Sequence, residues 1–143
     1  MANPPDQEIA ELLKSAKTIA VVGISADRSR ASNGIARYLQ RTGFRVIPVN
    51  PNESEVLGEK CYSNLRDIPE PVDVVDVFRR PEFIPAIAAD AIAINAKVLW
   101  MQQGIESDEA ASMARNAGLI VIQDRCIMID DMARQSVTPV RPG

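Results

Sequence analysis

Apolar residues fall into short dense runs separated by longer stretches in which they recur every three or four positions. Segments 18–22 (TIAVV), 44–49 (FRVIPV), 72–78 (VDVVDVF), 97–101 (KVLWM) and 119–122 (LIVI) read as strands, the first with the continuity of a strand buried on both faces of a parallel sheet. Between the first two, Ile35, Tyr38 and Leu39 give a helix one apolar face, and Gly43 closes it where a left-handed residue is usual. Ile84, Ile87, Ala88, Ala91 and Ile92 do the same over 81–94. Pro81 suits the first turn of that helix, and Pro85 is tolerated if it too lies near the start, where backbone N–H groups have no intrahelical partner. Another helix is capped by Ser107, carries Asp108 and Glu109 at its positive end and stops at Gly118. Ile9, Leu12, Leu13 and Ala16 mark a short N-terminal helix lying across an edge or end of the sheet.

Residues 51–71 contain Pro51, Gly58, Pro69 and Pro71, which leave room for a tiny strand near 60–62 and a helical turn over 63–68. Strands alternating with helices through short connections predict a single Rossmann-like α/β domain: a parallel sheet of five to six strands, helices on both faces, right-handed crossovers. The whole chain, 1–143, is read as that domain, with 1–6 and about 135–143 flexible or peripheral. In this order the 72–78 strand neighbours the 18–22 strand at the topological switch point, so Gly23 and Arg79 flank one crevice.

Composition narrows the chemistry. With 143 residues and 46% hydrophobic content the chain can bury its own core. A formal charge of −3 weighs against a general nucleic-acid binder while allowing a local basic loop to hold an anion. No apolar run approaches about 20 residues and the N-terminus lacks a signal layout, so a cytoplasmic protein without a membrane partner is expected. Cys61 and Cys126 form no CxxC and read as reduced thiols. The absence of histidine removes Ser-His-Asp and Cys-His pairs, phosphohistidine transfer and histidine metal ligands.

Candidate chemistry gathers at strand ends. A strand, a glycine turn and a helix N-terminus at 18–34 favour an anionic group, phosphate by default. The loop GISADRSRASNG is not GxGxxG, and Asn50-Pro51 stands where an acid would hold a ribose 2′-hydroxyl, so a dinucleotide becomes a minority reading. Hydroxyls at Ser25, Ser29 and Ser32 and guanidinium groups at Arg28 and Arg30 suit more than one phosphate, or make an exposed polar turn. Phe78-Arg79-Arg80-Pro81 repeats that logic on the facing wall, unless Arg79 and Arg80 pair with surface carboxylates. Asp76, inside an apolar strand, either orients a loop or is held by a structural partner, the second being preferred. Gln102 to Gly104 offer hydrogen bonds to a ligand edge or a simple turn, and Cys126, after Asp124-Arg125, is a ligand-facing thiol or an inert buried residue.

Gly23, Ser25, Asn50-Pro51, VDVVDVFRRP, LWMQQG and QDRC, in that order along nearly the whole chain, resemble the small stand-alone CoA-binding domain proteins, close to the N-terminal domain of succinyl-CoA synthetase alpha subunits. The resemblance implies a Rossmann-like fold and coenzyme A or acyl-CoA as ligand. It implies phosphate contacts from Gly23 and Ser25, an adenosine side bordered by Asn50 and Pro51, and a cleft lined by Arg79 and Pro81. Gln102 and Gly104 fall on the pantetheine side, and Cys126 in the family's DRC motif. Synthetase catalysis needs a phosphorylated histidine in a further domain, so the expectation is noncatalytic binding by Gly23, Ser25, Arg28, Ser29, Arg30, Asn50, Pro51, Arg79, Pro81, Gln102, Gly104 and Cys126. The alternatives are an enzyme acting on acyl-CoA or exchanging thiols with CoA through Cys126, and an NAD(P) or other nucleotide-binding regulatory module. No metal and no nucleic-acid partner is expected.

Overall fold

The computed structural model describes residues 2–137. Along the chain, α1 spans Asp6–Ser15, β1 Thr18–Val22, α2 Ala31–Arg41 and β2 Arg45–Val49. A small hairpin of β3 (Glu55–Val56) and β4 (Glu59–Lys60) and a 3-10 turn at Leu65–Asp67 follow. The remainder is β5 (Val74–Val77), a 3-10 turn at Pro81–Phe83, α3 (Ile84–Ala93), β6 (Val98–Met101), α4 (Asp108–Asn116), β7 (Ile120–Ile122) and α5 (Ile127–Val137).

Five strands pair in parallel in the order β2-β1-β5-β6-β7. The chain order reverses between β1 and β5, so the switch point lies where expected. Both faces are covered, and alternation along each strand sorts the core into two layers. Val22, Val49, Val77 and Met101 point into one layer with the small side chains of α3 and α4, Ala88, Ala91, Ala110 and Ala114. Ile19, Val21, Val74 and Trp100 point into the other with Leu13 of α1, Leu39 of α2 and Ile127 of α5.

Local chemistry accounts for the boundaries. Ser107 caps α4 by accepting from the Ala110 amide at 3.2 Å. Pro85 lies in the opening turn of α3, after the short 3-10 turn, where its missing N–H costs nothing. Leu57 and Gly58 both have positive φ, 55° and 75°, the pairing a tight two-residue hairpin turn requires. The sequence reading placed a strand only near 60–62, and there Tyr62 forms a parallel bridge to Val49. Asn3 and Gln123 exchange two hydrogen bonds of 2.8 Å, tying the segment before α1 to the end of β7. Of the terminal stretch expected to be peripheral, 138–143 lies outside the described residues.

Asp76 corrects one expectation. It faces the Trp100 layer, opposite Val21 on β1 and Trp100 on β6. Its side chain is fully buried, and neither carboxylate oxygen has a hydrogen-bond partner. The structural partner expected for it is absent among the described residues, and burial pushes its pKa well above the ordinary carboxylate value.

Candidate functional site

Three strand ends are held level at the carboxyl rim of the sheet. The Gly23 amide donates to the Val49 carbonyl at 2.9 Å, and the Phe78 amide donates to the Val22 carbonyl at 2.8 Å. Gly23 has φ +85°, and a Cβ there would fall 2.6 Å from the Phe78 carbonyl oxygen and 2.9 Å from Cδ of Arg79. The residue is therefore glycine for two reasons, left-handed backbone and direct contact with the facing strand's exit. That contact brings Arg79 against the first loop.

The loop from Ser25 to Arg30 is knitted by its own polar groups. The Ser25 amide donates to Ser32 Oγ at 2.9 Å, and Asn33 Nδ2 donates to the Ser25 carbonyl at 2.8 Å, so the first turn of α2 holds the loop from below. Ser25 Oγ accepts from the Asp27 amide at 3.0 Å. Ser29 donates to Asp27 Oδ1 through its hydroxyl at 2.7 Å and its amide at 2.9 Å, which keeps the Asp27 carboxyl below its usual pKa. From the other side, Asn50 Nδ2 donates to the Ile24 carbonyl at 2.8 Å while Asn50 Oδ1 accepts from the Asn52 amide at 2.8 Å. Asn50 thus braces the loop rather than lining a cavity.

Between loop and facing wall lies an open cleft of about 500 Å³. Gly23, Ser25, Arg30 and Ser32 form one side, Arg79, Arg80 and Pro81 the other, and Gly104 one end. Three guanidinium groups line it and no carboxylate does. Arg80 pairs with Glu82 at 3.3 Å, both exposed, while Arg79 lies over the Phe83 ring, 4.4 Å from its centroid. The N-cap residue of α2, Arg30, makes no side-chain cap bond, and Ala31 and Ser32 at the helix start line the cleft, so the uncapped positive end of α2 opens into it.

Gly23 and Arg79 also border a smaller slot of about 230 Å³, walled by Val49, Pro51, Leu65 and Phe83. Arg28 lies apart from both, in a third cavity with Arg37 and Arg41. Arg37 was passed over in the sequence because it falls inside a helix. The available signal was its place four residues after Asn33, whose Oδ1 accepts from Arg37 Nε at 3.0 Å.

Gln102 and Cys126 sit beneath the rim. Gln102 is buried, and its Oε1 accepts from the Ile127 amide at the start of α5. The Gly104 amide donates to Asp124 Oδ1 at 2.6 Å, and the Trp100 indole donates to the Arg125 carbonyl at 2.8 Å, so the turns after β6 and β7 are wired together. Cys126 is 9% exposed and packs in the Trp100 layer. Cys61 is also buried, which raises its thiol pKa, and its Sγ lies 3.5 Å from the Asn50 carbonyl it donates to. Among the described residues no cluster of acidic or cysteine side chains is arranged to hold a metal ion, and no helix is long and apolar enough to cross a membrane.

A family model described as CoA binding domain matches residues 17–132. An uncharacterized protein of Bacillus subtilis, YneT, is 43% identical over 129 residues, which cover 90% of this chain and 96% of that protein. The solved structure of a hypothetical protein from Pyrococcus horikoshii superposes with a TM-score of 0.90 at 39% identity, covering 92% of this chain and 93% of the other. A dinucleotide-forming acetyl-coenzyme A synthetase from Candidatus Korarchaeum cryptofilum matches 78% of this chain with a TM-score of 0.69 and 29% identity, over 26% of its own length.

Proposed function

We propose, for a chain that belongs to the CoA binding domain family, that it binds coenzyme A or an acyl-CoA at the β1/β5 switch point and performs no chemistry of its own on it. The observation that carries this reading is the contact of Gly23 with the exit of β5, which places the uncapped start of α2 and Arg79 on opposite walls of one cleft without a carboxylate. The ligand's diphosphate sits between the amides of α2 and the guanidinium groups of Arg30 and Arg79, where each charge-assisted hydrogen bond contributes about 1.5–3 kcal/mol. Its adenine enters the slot beside Pro51, and Ser25 orients the phosphates with a hydroxyl free to donate. The pantetheine arm leaves along Gly104.

Noncatalytic binding fits the residue set. No histidine is present to carry a phosphoryl group, and Cys126, which thiol exchange would need, is buried. The match to the synthetase spans a quarter of that protein, so the reading carries over its ligand class and not its reaction. The test is calorimetric titration with CoA, NAD and ATP. Saturable heat is expected with CoA, with Arg79→Ala weakening it about tenfold; saturation by NAD and none by CoA overturns the reading.

A further inference from the structure

Both main-chain polar groups of Ser25 are held by side chains from the first turn of α2. The Ser25 amide donates to Ser32 Oγ at 2.9 Å, and its carbonyl accepts from Asn33 Nδ2 at 2.8 Å. Both of those side chains are buried, Asn33 to 1% exposure. An asparagine amide turned over keeps its shape, yet only one orientation sets a donor against the Ser25 carbonyl. Arg37 selects the same orientation from the other side. A guanidinium carries donors and no acceptor, so the Asn33 oxygen, which accepts from Arg37 Nε at 3.0 Å, faces the helix and the amide nitrogen faces the loop. A terminal nitrogen of the same guanidinium donates to the Arg28 carbonyl at 3.1 Å. The side chain runs back toward the N-terminus, as helical side chains do, and passes over Gly34, where a Cβ would stand 3.7 Å from that nitrogen.

One arginine thus ties two points of the loop to α2: Ser25 through Asn33, and Arg28 directly. Among the described residues Arg37 has no ion pair to draw it elsewhere, whereas Arg45, Arg66 and Arg125 each have one. Its rigid fork meets acceptors on two separate segments at once, which the single ammonium of a lysine does not reproduce. Ser25 lines the cleft, while neither Asn33 nor Arg37 does. A loop ordered in advance costs nothing to order when a ligand arrives. We propose that Asn33 and Arg37 are positioning residues for the cleft: they fix Ser25 and its loop in the unliganded protein and raise the affinity for a ligand that neither of them touches. The inference rests on the CoA reading and adds to it two residues of α2 outside the cleft lining.

The experiment is a CoA titration of the full chain as wild type, Arg37→Lys, Arg37→Met and Asn33→Ala, with urea unfolding and amide hydrogen exchange of each protein free of ligand. Arg37→Lys keeps the charge and loses the fork, and is expected to weaken CoA about fivefold or more, with Arg37→Met little worse. Asn33→Ala weakens it at least as much. In all three the Ser25 amide exchanges faster than in wild type while the central strands keep their protection. Because Arg37 works in part through Asn33, the double variant Asn33→Ala/Arg37→Lys loses less than the product of the two single losses. A residue serving stability alone would lower the urea midpoint and leave the affinity of the folded protein unchanged, which overturns the inference. So does wild-type affinity in Arg37→Lys beside a loss in Arg37→Met, which makes Arg37 a contributor of charge only. Either result leaves CoA binding standing. Failure of wild type to bind CoA removes the CoA reading and the inference with it.

Discussion

Replacing Asp76 should stabilise the protein, and by an amount that grows with pH. The carboxyl is fully buried on the central strand β5, with both oxygens unpartnered, between Val21 and Trp100. Two costs are separable. A buried polar group without a partner costs about 1–3 kcal/mol at any pH. The second cost is linked to the proton, because burial raises the pKa in the fold while the unfolded chain ionises near the ordinary value of about 3.9. Below that value both states are protonated and the proton-linked penalty vanishes, leaving only the first cost. Above it, and up to the raised value, unfolding releases one proton and stability falls by about 1.4 kcal/mol per pH unit. Asp76→Asn removes only the second cost, so its advantage over wild type grows as pH rises above the unfolded value and levels off once the raised folded value is passed. Asp76→Val removes both, adds apolar surface to a layer already made of Val21, Val74 and Trp100, and should exceed Asp76→Asn by about 1–3 kcal/mol at every pH. Urea unfolding of the three proteins across pH 5 to 8 measures this directly, and subtraction cancels the other carboxylates. Wild-type and Asp76→Asn stabilities that stay parallel over the whole range would refute the argument, since they require the same pKa in both states.

Two further substitutions test the frame around the cleft. Gly23→Ala should destabilise by at least about 1–2 kcal/mol from its left-handed backbone alone, with the 2.6 Å approach to the Phe78 carbonyl adding to that, and should weaken CoA more than Arg79→Ala does; denaturant unfolding and titration of the same sample check both. Ser107→Ala removes the cap of α4 and should cost about 1 kcal/mol in the same unfolding assay while leaving CoA affinity unchanged, because α4 lies away from the cleft.

The strands were legible because both faces of the sheet are covered, which makes the central strands predominantly apolar, TIAVV without a break and VVDV interrupted only by Asp76. The β1/β5 crevice was legible for the same reason, since the alternation of elements dictates where the order reverses. Helix α5 was not anticipated. Its apolar residues do not trace its buried face: Ile127 is buried, Ile129 and Met132 are exposed, and Asp131 is fully buried. Asp131 can be there because Tyr38 donates to it at 2.7 Å and Arg134 and Gln135 bond to it, a contact across 93 residues that no local pattern carries. The same burial and bonding push the Tyr38 pKa upward. The β3–β4 hairpin was hidden because its turn is Leu57-Gly58 rather than Asn-Gly.

Within the candidate site, Gly23, Ser25, Arg30, Arg79, Pro81 and Gly104 were named from strand ends and do line one cleft. Asn50, Ser29 and Gln102 were named on the same ground, but their polar atoms brace loops and the start of α5. Sequence position places a residue at the rim; only the hydrogen bonds tell whether its polar atoms are left for the cleft or spent on its neighbours. Arg37 illustrates the converse, a helical residue whose guanidinium returns to the loop.

Amide chemical-shift mapping during titration with CoA tests the central claim most directly. Binding at the switch point predicts that the resonances of Gly23, Ser25, Ala31, Ser32, Arg79 and Gly104 shift together and saturate with one affinity. Shifts confined to the groove between α1 and α5, around Ala10 and Arg125, or none at CoA concentrations that saturate calorimetric heat, would contradict it.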